Sequence, residues 1–191
     1  MQPRLDMRAG EQALCRALHQ TDERRADEQE HDRGQNACQR QGIYEFRQAG
    51  LRLGSGLHRV TAENAATVGQ KLYIQYGITG VRGQVEAGLP TVLNVGLPVL
   101  EEGLAKGYDF DRVGGGALLA ILANSTDTNI IARSSRERQL ALTEELKALL
   151  AQTPYPDKDA LAALDDRFIA ENLSPGGSAD LLALTWLLHF V

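Results

Sequence analysis

Between Thr61 and the carboxyl end, apolar residues return every three or four positions, and each such run is stopped by glycine or proline. That spacing puts the apolar side chains on one stripe of an α-helix, whereas a half-buried strand needs strict alternation. Alternation is confined to short pieces such as residues 92–95. The expected fold is all-α, a single compact helical domain of six or so helices. Thr61 is placed to cap a helix carrying Ala65, Val68, Leu72 and Tyr76, stopped at Gly77. A glycine-rich loop is read over residues 77–90. A second helix covers residues 95–106, and Asp111 caps a third through Leu118, Leu119, Ile121 and Leu122. Ser134 or Ser135 opens a fourth that reaches Gln152 and buries Leu142, Leu146, Leu149 and Leu150, before Pro154 and Pro156. Asp157 caps a fifth through Leu161, Leu164, Phe168 and Ile169, and Ser178 caps the last.

The 191 residues suffice for one domain with a core, and the chain changes character partway along. Residues 1–59 hold ten arginines, no lysine, eight glutamines and nine acids, a balance of +1, whereas residues 60–191 carry ten cations against sixteen acids, or −6. Apolar residues in the first segment are scattered singly among charges, so it is read as an atypical, poorly ordered extension preceding a helical domain over 60–191. The net charge of −5 argues against binding nucleic acid through bulk positive charge. Cys15 and Cys38 form no CxxC pair, which suggests neither a disulfide framework nor a zinc site and fits a reducing cytoplasm. The longest apolar stretch, residues 181–188, is broken by Thr185 and is too short to cross a bilayer, so no membrane association is expected.

Three polar segments interrupt the apolar helices. Ser174-Pro175-Gly176-Gly177-Ser178-Ala179-Asp180 opens onto an apolar run, and the first N–H groups of a helix, approached over glycine, suit an anion. A capped surface helix would look the same. Residues 77–90 set Arg82 and Gly83 among further glycines, where the guanidinium could hold a phosphate or carboxylate fork, or simply be solvated. Residues 124–129 run Asn-Ser-Thr-Asp-Thr-Asn, with Arg133 four residues beyond Asn129. Such oxygens can organise a hydrated magnesium ion, and they also cap and turn helix ends for local reasons. His19, His31, His58 and His189 form no hydrolytic constellation.

Four ordered segments together resemble the triphosphoribosyl-dephospho-CoA synthase family. They are Glu63-Asn64-Ala65-Ala66-Thr67; residues 76–90 followed by Asn94-Val95-Gly96-Leu97-Pro98; Asp127-Thr128-Asn129 with Arg133; and residues 174–182. The resemblance implies transfer of the triphosphoribosyl group of ATP to the 2′-hydroxyl of 3′-dephospho-CoA, with release of adenine, to make the prosthetic-group precursor of citrate lyase or malonate decarboxylase. Oxocarbenium character at C1′ calls for a nearby carboxylate and a proton donor to the leaving base. On this reading Asp127 and Asp180 are the catalytic candidates. Arg82, Gly83, Arg133, Gly176, Gly177 and Ser178 bind phosphate, and Asp127 and Asn129 hold Mg2+. The family commonly has an acid where this chain has Gln84, and its members begin with an Asn-Thr-His-Lys-Gly type segment that residues 1–59 do not show. The expectation is a shortened or frame-shifted copy lacking part of the site, self-associating through an uncovered helical face. The alternative is a non-catalytic helical module that binds nucleotide or a partner.

Overall fold

The computed structural model describes Gln41, Glu45 and residues 56–190. By its internal contacts the chain divides into Met1–Gln41 and Gly42–Val191, and everything that follows lies in the second unit. Among the described residues there is no strand, and eight α-helices account for most of those residues: α1 Val68–Tyr76, α2 Gly80–Glu86, α3 Leu97–Ala105, α4 Phe110–Ala123, α5 Thr128–Arg133, α6 Arg136–Gln152, α7 Lys158–Ala170 and α8 Gly176–His189. No described helix is long and apolar enough to cross a membrane.

Helix starts follow capping chemistry, though not always at the expected residue. The first helix begins at Val68 rather than after Thr61. Thr67 accepts from the Gln70 N–H, and the Gln70 side chain accepts in return from Thr67 N at 2.9 Å, a reciprocal capping box. Thr61 instead belongs to a turn closed by Asn64, whose Oδ1 accepts from Thr61 N and whose Nδ2 donates to the Arg59 carbonyl. Asp109, not Asp111, caps α4 by accepting from Arg112 N at 2.9 Å, which leaves Asp111 in the first turn, where a negative charge faces the positive end of the helix. Ser135 and Asp157 cap α6 and α7 as expected.

The largest departure is the segment read as a loop, because residues 80–86 form α2 despite two glycines. Helix propensity is a weak preference that burial overrides. Val81 and Val85, four apart, pack together with Leu89, Val92, Leu97, Ile121, Leu181 and Leu188. Leu89 is buried with a left-handed φ of 59°, an uncommon conformation for leucine, and its N–H donates to the Gln84 carbonyl. The following helix starts at Pro90, and residues Val92–Gly96 widen into a π-turn before α3. Pro98 accounts for the widening: with no N–H to donate and a ring that crowds the carbonyl four residues earlier, it disfavours regular α geometry there.

Helix α4 is the axis of the domain and packs against α3, α6, α7, α8 and the π-turn. Its Leu119, Leu122 and Ala123 meet Ile130 of α5, Leu142 and Leu146 of α6 and Phe168 of α7 on one side. On the other side Val113 and Ala117 meet Leu100 of α3. Gly96 sits where the π-turn crosses α8, since a Cβ there would lie 2.5 Å from Thr185 Oγ1. Tyr155 ties the α6–α7 connection to α3 by donating to the Val99 carbonyl at 2.7 Å. One face stays uncovered: exposed Phe110 and Phe190 flank Trp186 along an open apolar groove between α4 and α8.

Candidate functional site

The three polar segments picked out from the sequence share one hollow of about 250 Å3. Residues 77–81 form one wall, Ser125 and Thr126 a second, and Gly177 and Ser178 a third, with Gln84 and Leu181 completing it. The first wall turns sharply through Gly77 and Gly80, both left-handed with φ of 68° and 56°. The second and third walls are two helix starts that close approach brings together. A Cβ on Gly176 would collide with the Asn129 amide, and one on Gly177 would press on Val81 at 3.2 Å and on Asp127 Oδ2 at 3.3 Å.

Asp127 is the fastening between those helix starts. Its carboxylate is 2% exposed; Oδ1 accepts from Asn129 N at 2.9 Å and so caps α5, while Oδ2 accepts from Ser178 N at 2.7 Å and from Ser178 Oγ at 3.0 Å. Ser178 therefore does not cap α8, which starts two residues earlier with Pro175 at the cap position; it lies inside the first turn and gives its N–H to a side chain distant in sequence. Among the described residues no acceptor takes the N–H of Gly176 or Gly177, so these remain as the open donors of that helix start.

The hollow is polar without being charged: hydroxyls of Thr79, Ser125 and Thr126, the Gln84 amide and peptide groups line it, and the Asp127 carboxylate sits beside Ser178. The cations foreseen for it stand elsewhere. Arg82 is exposed on α2, and Gly83 faces back toward Thr79. Arg133, exposed in the last turn of α5, donates to Asn172 Oδ1 at 3.4 Å. Asp180 is exposed on α8, one turn in from the glycines, and does not line the hollow. Thr79 is a lining residue to which the motif reading gave no role, and Gln84, noted there only as a departure from the family's usual acid, lines the hollow as well.

A resident magnesium ion does not fit Asp127 and Asn129. The carboxylate is buried with both oxygens already accepting donors, the Asn129 side chain lies against Gly176, and the described residues contain no group of three or more His, Cys, Asp or Glu side chains suited to a metal.

A sequence model of the ATP:dephospho-CoA triphosphoribosyl transferase family matches residues 7–191, beginning well upstream of Glu63, where the motif resemblance starts. The chain is 43% identical over 129 residues to the 2-(5''-triphosphoribosyl)-3'-dephosphocoenzyme-A synthase of Pectobacterium atrosepticum, covering 68% of this chain and 42% of that protein. Proteins named probable 2-(5''-triphosphoribosyl)-3'-dephosphocoenzyme-A synthase are 38% identical over 133 residues in Photobacterium profundum and 42% identical over 128 residues in Albidiferax ferrireducens. These matches cover 68% and 65% of the chain respectively, and 42% of each relative. The chain thus aligns with less than half the length of these curated relatives. No solved structure matches. With the profile spanning nearly all of its length and the four motif segments in order, the chain belongs to the ATP:dephospho-CoA triphosphoribosyl transferase family.

Proposed function

We propose that the hollow between α2, α5 and α8 receives the ribose-phosphate part of ATP, and that the protein transfers the triphosphoribosyl group to the 2′-hydroxyl of 3′-dephospho-CoA. The observation that carries this reading is the convergence of three polar helix breaks, two of them glycine-bearing, on a single cavity. In the reaction a C1′–O bond forms as the C1′–N9 bond of ATP breaks; the acceptor hydroxyl loses its proton, adenine leaves with one, and the triphosphate stays on the transferred sugar. Gly176 and Gly177 offer peptide N–H donors to a phosphate or sugar oxygen. Thr79, Ser125 and Thr126 can exchange hydrogen bonds with ribose hydroxyls.

Asp127 holds two roles apart in this reading. It positions the α8 start through Ser178, and its negative charge beside the cavity favours cationic character developing at C1′. The same charge disfavours a triphosphate packed against Ser178, so the polyphosphate tail points out of the hollow, toward solvent. Arg82 and Arg133 serve as its outer cations, Asp180 as an accessory carboxylate, and magnesium enters with the nucleotide, held by phosphate oxygens. The product on this reading is the prosthetic-group precursor of citrate lyase or malonate decarboxylase, as the family resemblance implies.

Incubation of the full chain with ATP, 3′-dephospho-CoA and magnesium tests the reading by release of free adenine. Adenine that appears only when both substrates are present supports transfer. ATP binding without adenine would replace the enzyme by a nucleotide-binding module. An Arg133→Ala variant with undiminished adenine release would remove that residue from the site.

A further inference from the structure

Arg138 and Arg167, along the edge of α6 and α7, are both held by Glu145 and Glu171. Arg133 and Arg136 flank the turn from α5 into α6, and among the described residues neither has a carboxylate partner. Arg133 donates from one nitrogen to Asn172. Arg136 is exposed, and its guanidinium carbon lies 5.6 Å from the centroid of the Tyr76 ring, within the range of a cation–π contact. Tyr76 closes α1, which packs against α5. Periodicity sets this tyrosine on the apolar stripe of its helix, yet it is 48% exposed. Its hydroxyl accepts from Gln75 Nε2 at 2.8 Å, which leaves the hydroxyl proton to be donated elsewhere. The next residue, Gly77, begins the glycine wall of the hollow. The ring that carries the Arg136 guanidinium is therefore anchored one residue from the candidate site.

We infer that Arg136, braced on Tyr76, is a further polyphosphate-binding residue, which works with Arg133 on the part of a nucleoside triphosphate that leaves the hollow. This rests on the reading of the hollow as the ATP site. The Asp127 carboxylate beside Ser178 keeps the phosphate tail out of the lining, so the tail needs cations at the rim. A guanidinium already engaged with carboxylates, as in Arg138, has to give them up before it can take a phosphate. Arg136 has none to give up. A planar guanidinium laid over an aromatic ring is also restrained in orientation, so less side-chain freedom is lost when its N–H groups meet a bidentate phosphate partner.

Calorimetric titration of the full chain with magnesium and ATP, and again with AMP, tests this in the wild type, Arg136→Gln, Tyr76→Leu and Lys158→Gln. Lys158 is the control: an exposed cation that, like Arg136, opens a helix, so its removal changes the net charge equally. Arg136→Gln is expected to bind ATP about threefold or more weakly while unfolding in denaturant at the wild-type midpoint. AMP, which lacks the β and γ phosphates, should bind Arg136→Gln and the wild type alike, and Lys158→Gln should keep wild-type affinity for both nucleotides. Tyr76→Leu leaves the charge and removes the brace, so its affinity for ATP should fall between those of the wild type and Arg136→Gln. A smaller loss in Arg136→Gln, an equal loss for AMP, or an equal loss in Lys158→Gln would overturn the inference, and wild-type ATP affinity in Tyr76→Leu would overturn the bracing. A wild type that binds ATP but releases no adenine removes the transfer reaction and leaves the inference to be decided by these variants; a wild type that does not bind ATP overturns both.

Discussion

Asp157 and Asp127 are both aspartates that cap a helix, and the surroundings of the two caps could hardly differ more. At the α7 start Asp157 is exposed and accepts from Ala160 N, three residues away, at 2.9 Å. Beside the hollow Asp127 is buried, caps α5 through one oxygen, and through the other holds Ser178, 51 residues further along. A local cap stabilises one helix, whereas a shared buried cap fixes where two helices meet. The candidate site is built on the second kind.

Asp127→Ala should have the largest effect. It leaves the Asn129 and Ser178 N–H groups and the Ser178 hydroxyl without their acceptor, the two Ser178 bonds being buried, at a cost of about 3 kcal/mol in denaturant unfolding. The hollow should lose nucleotide affinity with it. A loss no greater than that of Asp157→Ala, expected at about 1 kcal/mol, would erase the distinction between the two caps. Ser178→Ala keeps the backbone N–H hydrogen bond to Asp127 and removes only the one from the hydroxyl, so about 1 kcal/mol is expected. Combining it with Asp127→Ala should fall short of additivity by at least about 0.5 kcal/mol, whereas Asp127→Ala and Asp157→Ala should add to within about 0.5 kcal/mol.

A third carboxylate gives the smallest effect. Glu171 is held below the ordinary value of 4.5 chiefly by the hydrogen bond from Arg138, at the exposed edge of α6 and α7. A lowered carboxyl contributes stability above its unfolded value and loses it as pH falls. The unfolding midpoint should therefore drop below about pH 4.5, and Glu171→Gln should flatten part of that fall. An unchanged acid limb in Glu171→Gln would show the pair to be inert, as many solvated pairs are.

Local rules placed the starts of α6 and α7, whose ends are satisfied by neighbours, but chose Thr61 and Asp111 over Thr67 and Asp109 at α1 and α4. Ser135, Asp157 and the Leu142 and Leu146 stripe stand where capping and periodicity put them. They failed at α2, because Gly80 and Gly83 read as loop while Val81 and Val85 gain enough from burial against Leu181 and Leu188 to hold a helix. They failed again at Ser178, whose N–H has a partner that no local pattern can reveal. The apolar segments predicted an all-α domain, and the glycine breaks named the neighbourhood of the site without saying which atoms would face it.

Periodicity and capping residues act over three or four positions, and that range was enough for the sequence by itself to determine helical class, some helix limits and the polar breaks between helices. Only the packed structure decided that those breaks share a cavity, that Asp127 serves two helices at once, and that Arg82 and Arg133 stand outside the lining. Contacts between residues tens of positions apart depend on how the helices cross, and crossing is set by close approaches such as Gly96 on Thr185 and Gly176 on Asn129, which have no signature in sequence spacing.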